Sequence, residues 1–515
     1  MDQVARWHVH EIVLESEREY EEPLWDVTLT ATFTSPCGDE REVEGFWDGE
    51  RSWLVRFCPD EVGTWQWRTS CSVPDDNGLH GREGSFACAA YEGANPLLEH
   101  GPLRVAADRR HLEQADGTPF FWLSDTAWNG VLRARPDEWE EYLVLRLNQR
   151  FTAVQFVTTQ WRGWPEEDLV FSNPKHVNVN IAAFRRMDAK ISAIHRHGLV
   201  AAPVMLWTLT ASDPGQVLSE QSAIRLCRYM RARWGAYNVV WFLGGDGRYK
   251  EEEVAARWRR IGRAVFGEDS DRPVTMHPCG TSWVGDEFGG EPWFDFLGYQ
   301  SGHGLPERTS RWIATGPPAQ HWRELELPII NLEPNYEDHP AYGADYRISP
   351  LDVRRAAWLS LLVTPTAGVS YGTNPIWAWS EAPGPAPGHE GLGEVGPWRE
   401  GLETPGIRSM TALAELMDQI EWWRLRPAQE LLVEQPGDAD PRDFIAVAAT
   451  DERDLVVAYT PAGDPIRVRG ALPEEARWYD PREGGWQTAT GKSGRFDPPD
   501  GDDWVLVLGA STRMR

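Results

Sequence analysis

Between residues 119 and 423 the sequence alternates eight times between a short apolar run and a longer stretch of helical periodicity. The runs are PFFWLSDTAW, FTAVQFVTTQWRGW, LVAAPVMLWT, NVVWFLGGD, RPVTMHPCG, WFDFLGYQSGH, LPIINLEPNYE and AGVSYGTNPIW. Most are apolar without the polar alternation of a half-exposed strand, so they read as strands buried on both faces. The stretches between them put their apolar residues on one helical stripe. Examples are Trp139, Tyr142, Leu143 and Leu147 in the first, Ile181, Phe184, Ile191 and Ile194 in the second, and Val254, Trp258, Ile261 and Val265 in the fourth. Pro136 opens the first helix and Gly198 stops the second. Buried parallel strands joined by helices, eight times, fit a (β/α)8 TIM barrel. A doubly wound open sheet alternates in the same way. No Gly-rich phosphate loop follows the first strand, however, which weakens a dinucleotide-binding fold. GLGEVG at 391–396 follows no strand and reads as part of a long surface loop rich in Gly and Pro.

On either side of this region the period changes to two. WDVTLTATFTSP and TWQWRTSCSV alternate, the second followed by the turn signal PDDNG. After about residue 428, FIAVAAT, DLVVAYT, IRVRG, ARWYD, WQTAT and DWVLVL are short strands at regular spacing. Each flank reads as a β-sandwich. A chain of 515 residues exceeds one core. The expected division is an N-terminal sandwich over 1–95, a barrel over 96–424 and a C-terminal sandwich over 425–515.

The formal net charge of −28 argues against nucleic acid and anionic membrane surfaces as partners, since both need Lys/Arg patches. No apolar run is long enough to span a bilayer. The opening MDQVARWHVHEIVLESE has no apolar h-region, so a cytoplasmic location is expected. Six cysteines are too few for a disulfide framework in a chain this long, and reduced thiols are expected. His8 and His10 share a strand face without a third ligand nearby, and read as structural. No metal or cofactor is expected.

Chemistry concentrates where the apolar runs end. The strand tips carry Asp125 and Trp128, Thr158, Thr159 and Trp161, Trp207, Asp246, His277, Gln300, Ser301 and His303, Glu333, Tyr371 and Trp377. In a barrel these tips converge on one cleft. Asp246 could instead cap the helix that follows it. Yet Asp246 ends the fourth strand and Glu333 the seventh, which face each other across the barrel mouth. Two carboxylates flanking a scissile bond are what glycoside hydrolysis requires. Aromatic rims suit sugar faces, and the 28 tryptophans supply them.

The blocks WLSDTAW, WFLGGD, HPCGTSW, FLGYQSGH and INLEPNYE resemble the apiosidase-like glycoside hydrolases of family 140, and ARWYDPREGG resembles the C-terminal domain that accompanies them under a collagen-binding label. The resemblance implies an O-glycosyl hydrolase with a carbohydrate substrate, Asp246 as acid/base and Glu333 as nucleophile. It also implies that the substrate is terminal apiose on pectin or a related sugar. A retaining, exo-acting enzyme is expected, with Asp125, Trp128, Trp207, His277, Gln300, His303 and Tyr336 around the sugar and the carboxyls about 5–5.5 Å apart. Asp246 would be held protonated by the charge of Glu333 and by the apolar rim. Two other classes remain open. One is a metal-dependent barrel hydrolase using His277, His303 and Asp246; the other is a carbohydrate-binding scaffold without turnover.

Overall fold

The computed structural model describes residues 2–161, 169–268, 270–386, 388–389 and 392–509. At its centre one parallel sheet contains β1 (Trp122–Thr126), β2 (Ala153–Val157), β3 (Val200–Trp207) and β4 (Trp241–Gly247). It continues with β5 (Val274–Pro278), β6 (Leu297–Tyr299), β7 (Ile329–Asn331) and β8 (Gly368–Tyr371). The strand order is β5-β4-β3-β2-β1-β8-β7-β6, so β1 pairs with β8 and the sheet curls into a barrel. β5 and β6 complete the ring through Thr275. Its hydroxyl donates to the Phe296 carbonyl at 2.7 Å and accepts the Gly298 N–H at 3.0 Å. The tail of the second apolar run, Arg162–Trp164, and Pro387, Glu390 and Gly391 of the Gly/Pro-rich loop lie outside the described residues.

The helices are α1 (Pro136–Asn148), α2 (Ile181–Arg196), α3 (Glu220–Trp234) and α4 (Glu252–Phe266). They are followed by α5 (Gly285–Phe288), α6 (Pro306–Thr315), α7 (Pro350–Val363) and α8 (Pro405–Met417). Local chemistry fixes their starts. Asn180 and Ser219 accept backbone N–H groups at the heads of α2 and α3, and Ser349 with Asp352 forms a capping box ahead of Pro350.

Strand residues divide by parity. Trp122, Ala153, Val157, Val200, Ala202, Val204, Val240, Phe242, Ile330 and Leu332 fill the barrel interior. Their neighbours Val154, Phe156, Ala201, Trp241, Leu243 and Met276 face outward onto the helices. A polar ladder crosses the interior with every group paired. Trp122 Nε1 donates to Ser370 Oγ, Ser370 Oγ to Gln155 Oε1, and Gln155 Nε2 to both Thr126 Oγ1 and the Leu332 carbonyl. Such satisfied groups tie β1, β2, β7 and β8 together without a desolvation penalty.

The N-terminal β domain has a five-stranded sheet, spanning Asp2–Ala5 to Glu83–Ala89, and a three-stranded sheet built on His10–Glu15 and Ser52–Phe57. Both contribute to one core that includes Ile12, Leu29, Phe33, Val55, Trp65 and Phe86. Buried Arg56 anchors it to the barrel, donating to Glu11, Asp188 and the Arg233 carbonyl. The C-terminal β domain has a six-stranded and a three-stranded sheet. One face of the larger sheet, with Ala446, Ala448, Val457, Tyr459, Val505 and Val507, packs into the same core as α7 and α8. A bidentate Arg354–Asp503 pair crosses this interface, and Tyr459 donates to the same carboxylate. A TIM barrel with a β domain at each end, read from the change of period, is therefore the fold.

All six cysteines are free. Among the described residues the one group of three metal-capable side chains is Cys37, Asp39 and Glu61, in the N-terminal domain. No helix among them is long and apolar enough to cross a membrane.

Candidate active site

The C-terminal ends of the barrel strands surround a cavity of about 350 Å³. Asp246 and Glu333 both line it, with Trp128, Trp161, Trp207, Gln300, His303, Tyr336 and Trp377.

Glu333 stands two residues beyond the end of β7 and is 6 % exposed. His303 Nε2 lies 3.1 Å from its Oε1. The Tyr336 backbone N–H donates to the other nitrogen of His303, Nδ1, at 3.3 Å. Nδ1 is thus the acceptor, and the proton of the neutral ring sits on Nε2, pointing at Glu333. His277, facing inward at the end of β5, brings Nε2 to 3.2 Å from Oε2. Neither of its ring nitrogens makes a well-aligned hydrogen bond among the described residues, yet the close approach of Nε2 favours the charged form of the carboxyl. Burial pushes the Glu333 carboxyl up, but the two imidazoles outweigh it and hold the group well below the usual carboxylate range. Glu333 is therefore an ionised carboxylate inside an aromatic pocket.

Asp246 ends β4 in an unusual backbone state. Its φ is 48°, and the β4–β5 register slips between Phe242 and Gly245 and again between Gly245 and Gly247. The slip is a bulge of the kind that re-aims side chains at functional sites. Gly245 permits it: a Cβ there would run into Val204 and the Trp207 ring. The Gln300 amide fixes the carboxyl, donating to Asp246 Oδ1 and to the Pro278 carbonyl, each at 2.8 Å. Asp246 is only partly buried, whereas Glu333 lies deep. One carboxylate thus faces the cavity mouth and the other its wall.

The expected sugar-contacting residues divide. Trp128, Trp207, Gln300, His303 and Tyr336 line the cavity. His277 lies beneath it, fully buried, and reaches the site through Glu333. Asp125 requires a correction, because it points away from the cavity. It is 0 % exposed and accepts Tyr142 Oη at 2.7 Å and Arg146 Nε at 2.6 Å from α1. On β1 the inward positions are Trp122, Ser124 and Thr126; Asp125 falls on the outward parity and serves as a buried ion pair between strand and helix. Tyr371 also faces outward, donating to Glu337. Sequence reasoning passed over Arg248, Cys279, Arg308, His339, Tyr342 and His389, which line the cavity beyond the strand tips, Arg308 from the first turn of α6 and the others from loops. Arg248 and Arg308 are exposed there and make no ion pair among the described residues. His277 and His303 converge on Glu333, and with Asp246 they do not form a metal-capable group.

Residues 106–424 match the family described as "Apiosidase-like, catalytic domain". Residues 3–72 match a domain of unknown function, and residues 426–509 match the domain that carries a collagen-binding label. The chain has no match among curated proteins. Among solved structures, a glycoside hydrolase family 5 protein from Bacteroides vulgatus superposes with a TM-score of 0.69 at 23 % identity, covering 82 % of this chain and 96 % of its own. A second structure, described as a glycoside hydrolase, gives 0.70 at 24 % identity over 82 % and 99 %. A further Bacteroides vulgatus structure gives 0.70 at 16 % identity over 99 % and 100 %, so all three domains share its arrangement. These likenesses establish the fold, while the catalytic-domain match spans most of the chain and includes both carboxylates. This protein belongs to the apiosidase-like family, and it is a glycosidase.

Proposed function

We propose that this protein is a retaining, exo-acting glycosidase in which Glu333 is the nucleophile and Asp246 the acid/base. The observation that carries the reading is the unequal setting of the two carboxylates. Glu333 is buried, stripped of its proton and aimed by two imidazoles; Asp246 is partly exposed at the mouth and held by a neutral amide. In the first step a Glu333 oxygen attacks the anomeric carbon while Asp246 gives its proton to the departing oxygen. The Glu333 charge is then consumed in the ester, and Asp246, now a carboxylate, takes a proton from the attacking water. Trp128 and Trp207 offer apolar faces to the ring. The cavity suits a terminal sugar and its neighbour better than a polymer running through.

The family name makes apiose the first sugar to try. Arg248 and Arg308 favour a leaving group with a carboxylate, because two guanidiniums that make no ion pair among the described residues, at the rim of a protein with net charge −28, are placed to hold an anion. Free thiols suit a cytoplasmic enzyme acting on imported short saccharides.

The test is a panel of aryl glycosides, furanosides included, with Glu333→Gln as the control and the anomer of the first-formed product read by NMR. Retention of configuration is expected. Glu333→Ala should lose nearly all turnover and regain it with azide, leaving a glycosyl azide of inverted configuration. Asp246→Ala should lose most on poor leaving groups and little on dinitrophenyl glycosides. Inverted first product, or the opposite pattern between the two variants, overturns the assignment.

A further inference from the structure

His339 is 2 % exposed yet lines the cavity, although it plays no part in the chemistry above. Its ring lies tilted against His303, with centroids 4.4 Å apart at 37°, and edge-on to Tyr342 at 5.4 Å and 75°. Nδ1 lies 2.7 Å from the Pro340 carbonyl oxygen. A carbonyl only accepts, so the proton of this ring is on Nδ1 and the lone pair is on Nε2. None of the described residues hydrogen-bonds to that Nε2.

The ring also resists a second proton. Burial disfavours the cation most, and the neighbouring His303 and, more weakly, His389 rings disfavour it further. The Pro340 bond and the Glu333 charge pull the other way without prevailing, and the pKa falls to about 2. His339 is therefore a neutral acceptor throughout the range in which an enzyme works. The N–H of the ring beside it, His303 Nε2–H, is already committed to Glu333.

We propose that His339 reads the sugar, its Nε2 accepting a hydrogen bond from one hydroxyl of the ring bound against Glu333. This rests on the cavity being a glycosidase site. A fixed lone pair cannot receive a carboxylate, a carbonyl or an ether oxygen. It selects a free hydroxyl at one ring position and rejects a deoxy, O-methyl or O-acetyl sugar there. His339 is thus a specificity residue, distinct in role from His303, which serves Glu333.

The experiment is calorimetric titration of the full-length Glu333→Gln protein with methyl apiofuranoside, methyl arabinofuranoside and methyl xylopyranoside. The sugar that binds is then retested as its single deoxy and single O-methyl derivatives. The titrations are repeated on Glu333→Gln carrying His339→Phe and on Glu333→Gln carrying His339→Gln. His339→Phe should weaken the parent sugar about 10- to 100-fold, and His339→Gln, which keeps an acceptor near Nε2, should recover most of it. One derivative should bind about 10- to 100-fold worse than the parent when His339 is present and no worse when Phe replaces it. Melting temperatures of the three proteins report whether each remains folded. Equal losses for every derivative in both backgrounds, or parent binding untouched by His339→Phe, overturn the His339 assignment alone. A panel in which no sugar binds overturns the reading of the cavity, and this assignment with it.

Discussion

His303→Phe removes the one well-aligned hydrogen bond that reaches the Glu333 carboxylate among the described residues. A hydrogen bond to a charged group in a buried site contributes about 1.5–3 kcal/mol. At 1.36 kcal/mol per pH unit, its loss should raise the pKa of Glu333 by about 1–2 units. The sign follows from which form is held. The folded carboxyl lies below its unfolded value, so its ionisation stabilises the fold above the unfolded pKa. That stabilisation disappears as pH falls through the folded one. Activity follows the same form, because only the carboxylate attacks carbon. In the parent enzyme the Glu333 limb of the kcat/KM profile lies below the ordinary carboxylate range; in the variant it should move up toward that range. The assay is kcat/KM from about pH 3 to about pH 8, with denaturant unfolding near both ends. The variant should be less stable by about 1.5–3 kcal/mol near neutrality, and the deficit should shrink toward the acid end. His303→Gln, which keeps an N–H donor, should restore much of both. An acid limb that stays in place, or moves down, refutes the view that His303 sets the ionisation of Glu333.

Three further outcomes follow from buried groups. Arg146→Met leaves the Asp125 carboxylate buried without its cation, and should cost about 3–5 kcal/mol in unfolding while leaving kcat/KM per folded molecule unchanged. A kinetic loss without a stability loss would return Asp125 to the sugar site. Trp207→Ala should lower kcat/KM by about 10- to 100-fold, equivalent to about 1–3 kcal/mol, with little change in the acid limb; untouched activity would misplace the sugar platform. Lys190 is buried against the Val131 carbonyl, and burial lowers its pKa to about 7. The folded state then sheds a proton that the unfolded chain keeps, so stability should rise with pH above about 7, up to the unfolded Lys value of about 10.4. Lys190→Met should abolish this rise, which amounts to roughly 3 kcal/mol between pH 7 and pH 9.5, as read by denaturant unfolding at the two pH values; a parallel pH dependence in both proteins would refute it.

The architecture was legible because strands buried on both faces leave long apolar runs, and a charge at the end of such a run stands out. Asp246 and Glu333, which both line the cavity, stand out that way. The same property hid the parity of each strand. PFFWLSDTAW has no polar alternation to phase it, so Asp125 was taken for an inward tip when it faces α1. His277, expected around the sugar, lies under Glu333 and does not line the cavity. The bulge in β4 was not readable either, since the Gly244–Gly245 pair signals only that the strand ends. His339 and Arg248 sit in loops, where no periodicity marks which residue turns inward, whereas Arg308 sits in the first turn of α6. Only the folded chain brings His339 against His303.

The pairing of β1 with β8 joins Thr126 to the Tyr371 carbonyl, residues 245 apart in the chain. During synthesis the barrel cannot close until residue 371 has left the ribosome, by which time the N-terminal β domain can already have folded. Closure still leaves α7 and α8 half covered, because their outer faces share a core with strands that end at Leu508. A chain stopped after α8 would therefore present a completed catalytic ring whose last two helices expose an apolar surface and the uncompensated Arg354 guanidinium. The C-terminal sheet is in this sense the final step of barrel assembly, and a nascent chain lacking it is a natural client for chaperones.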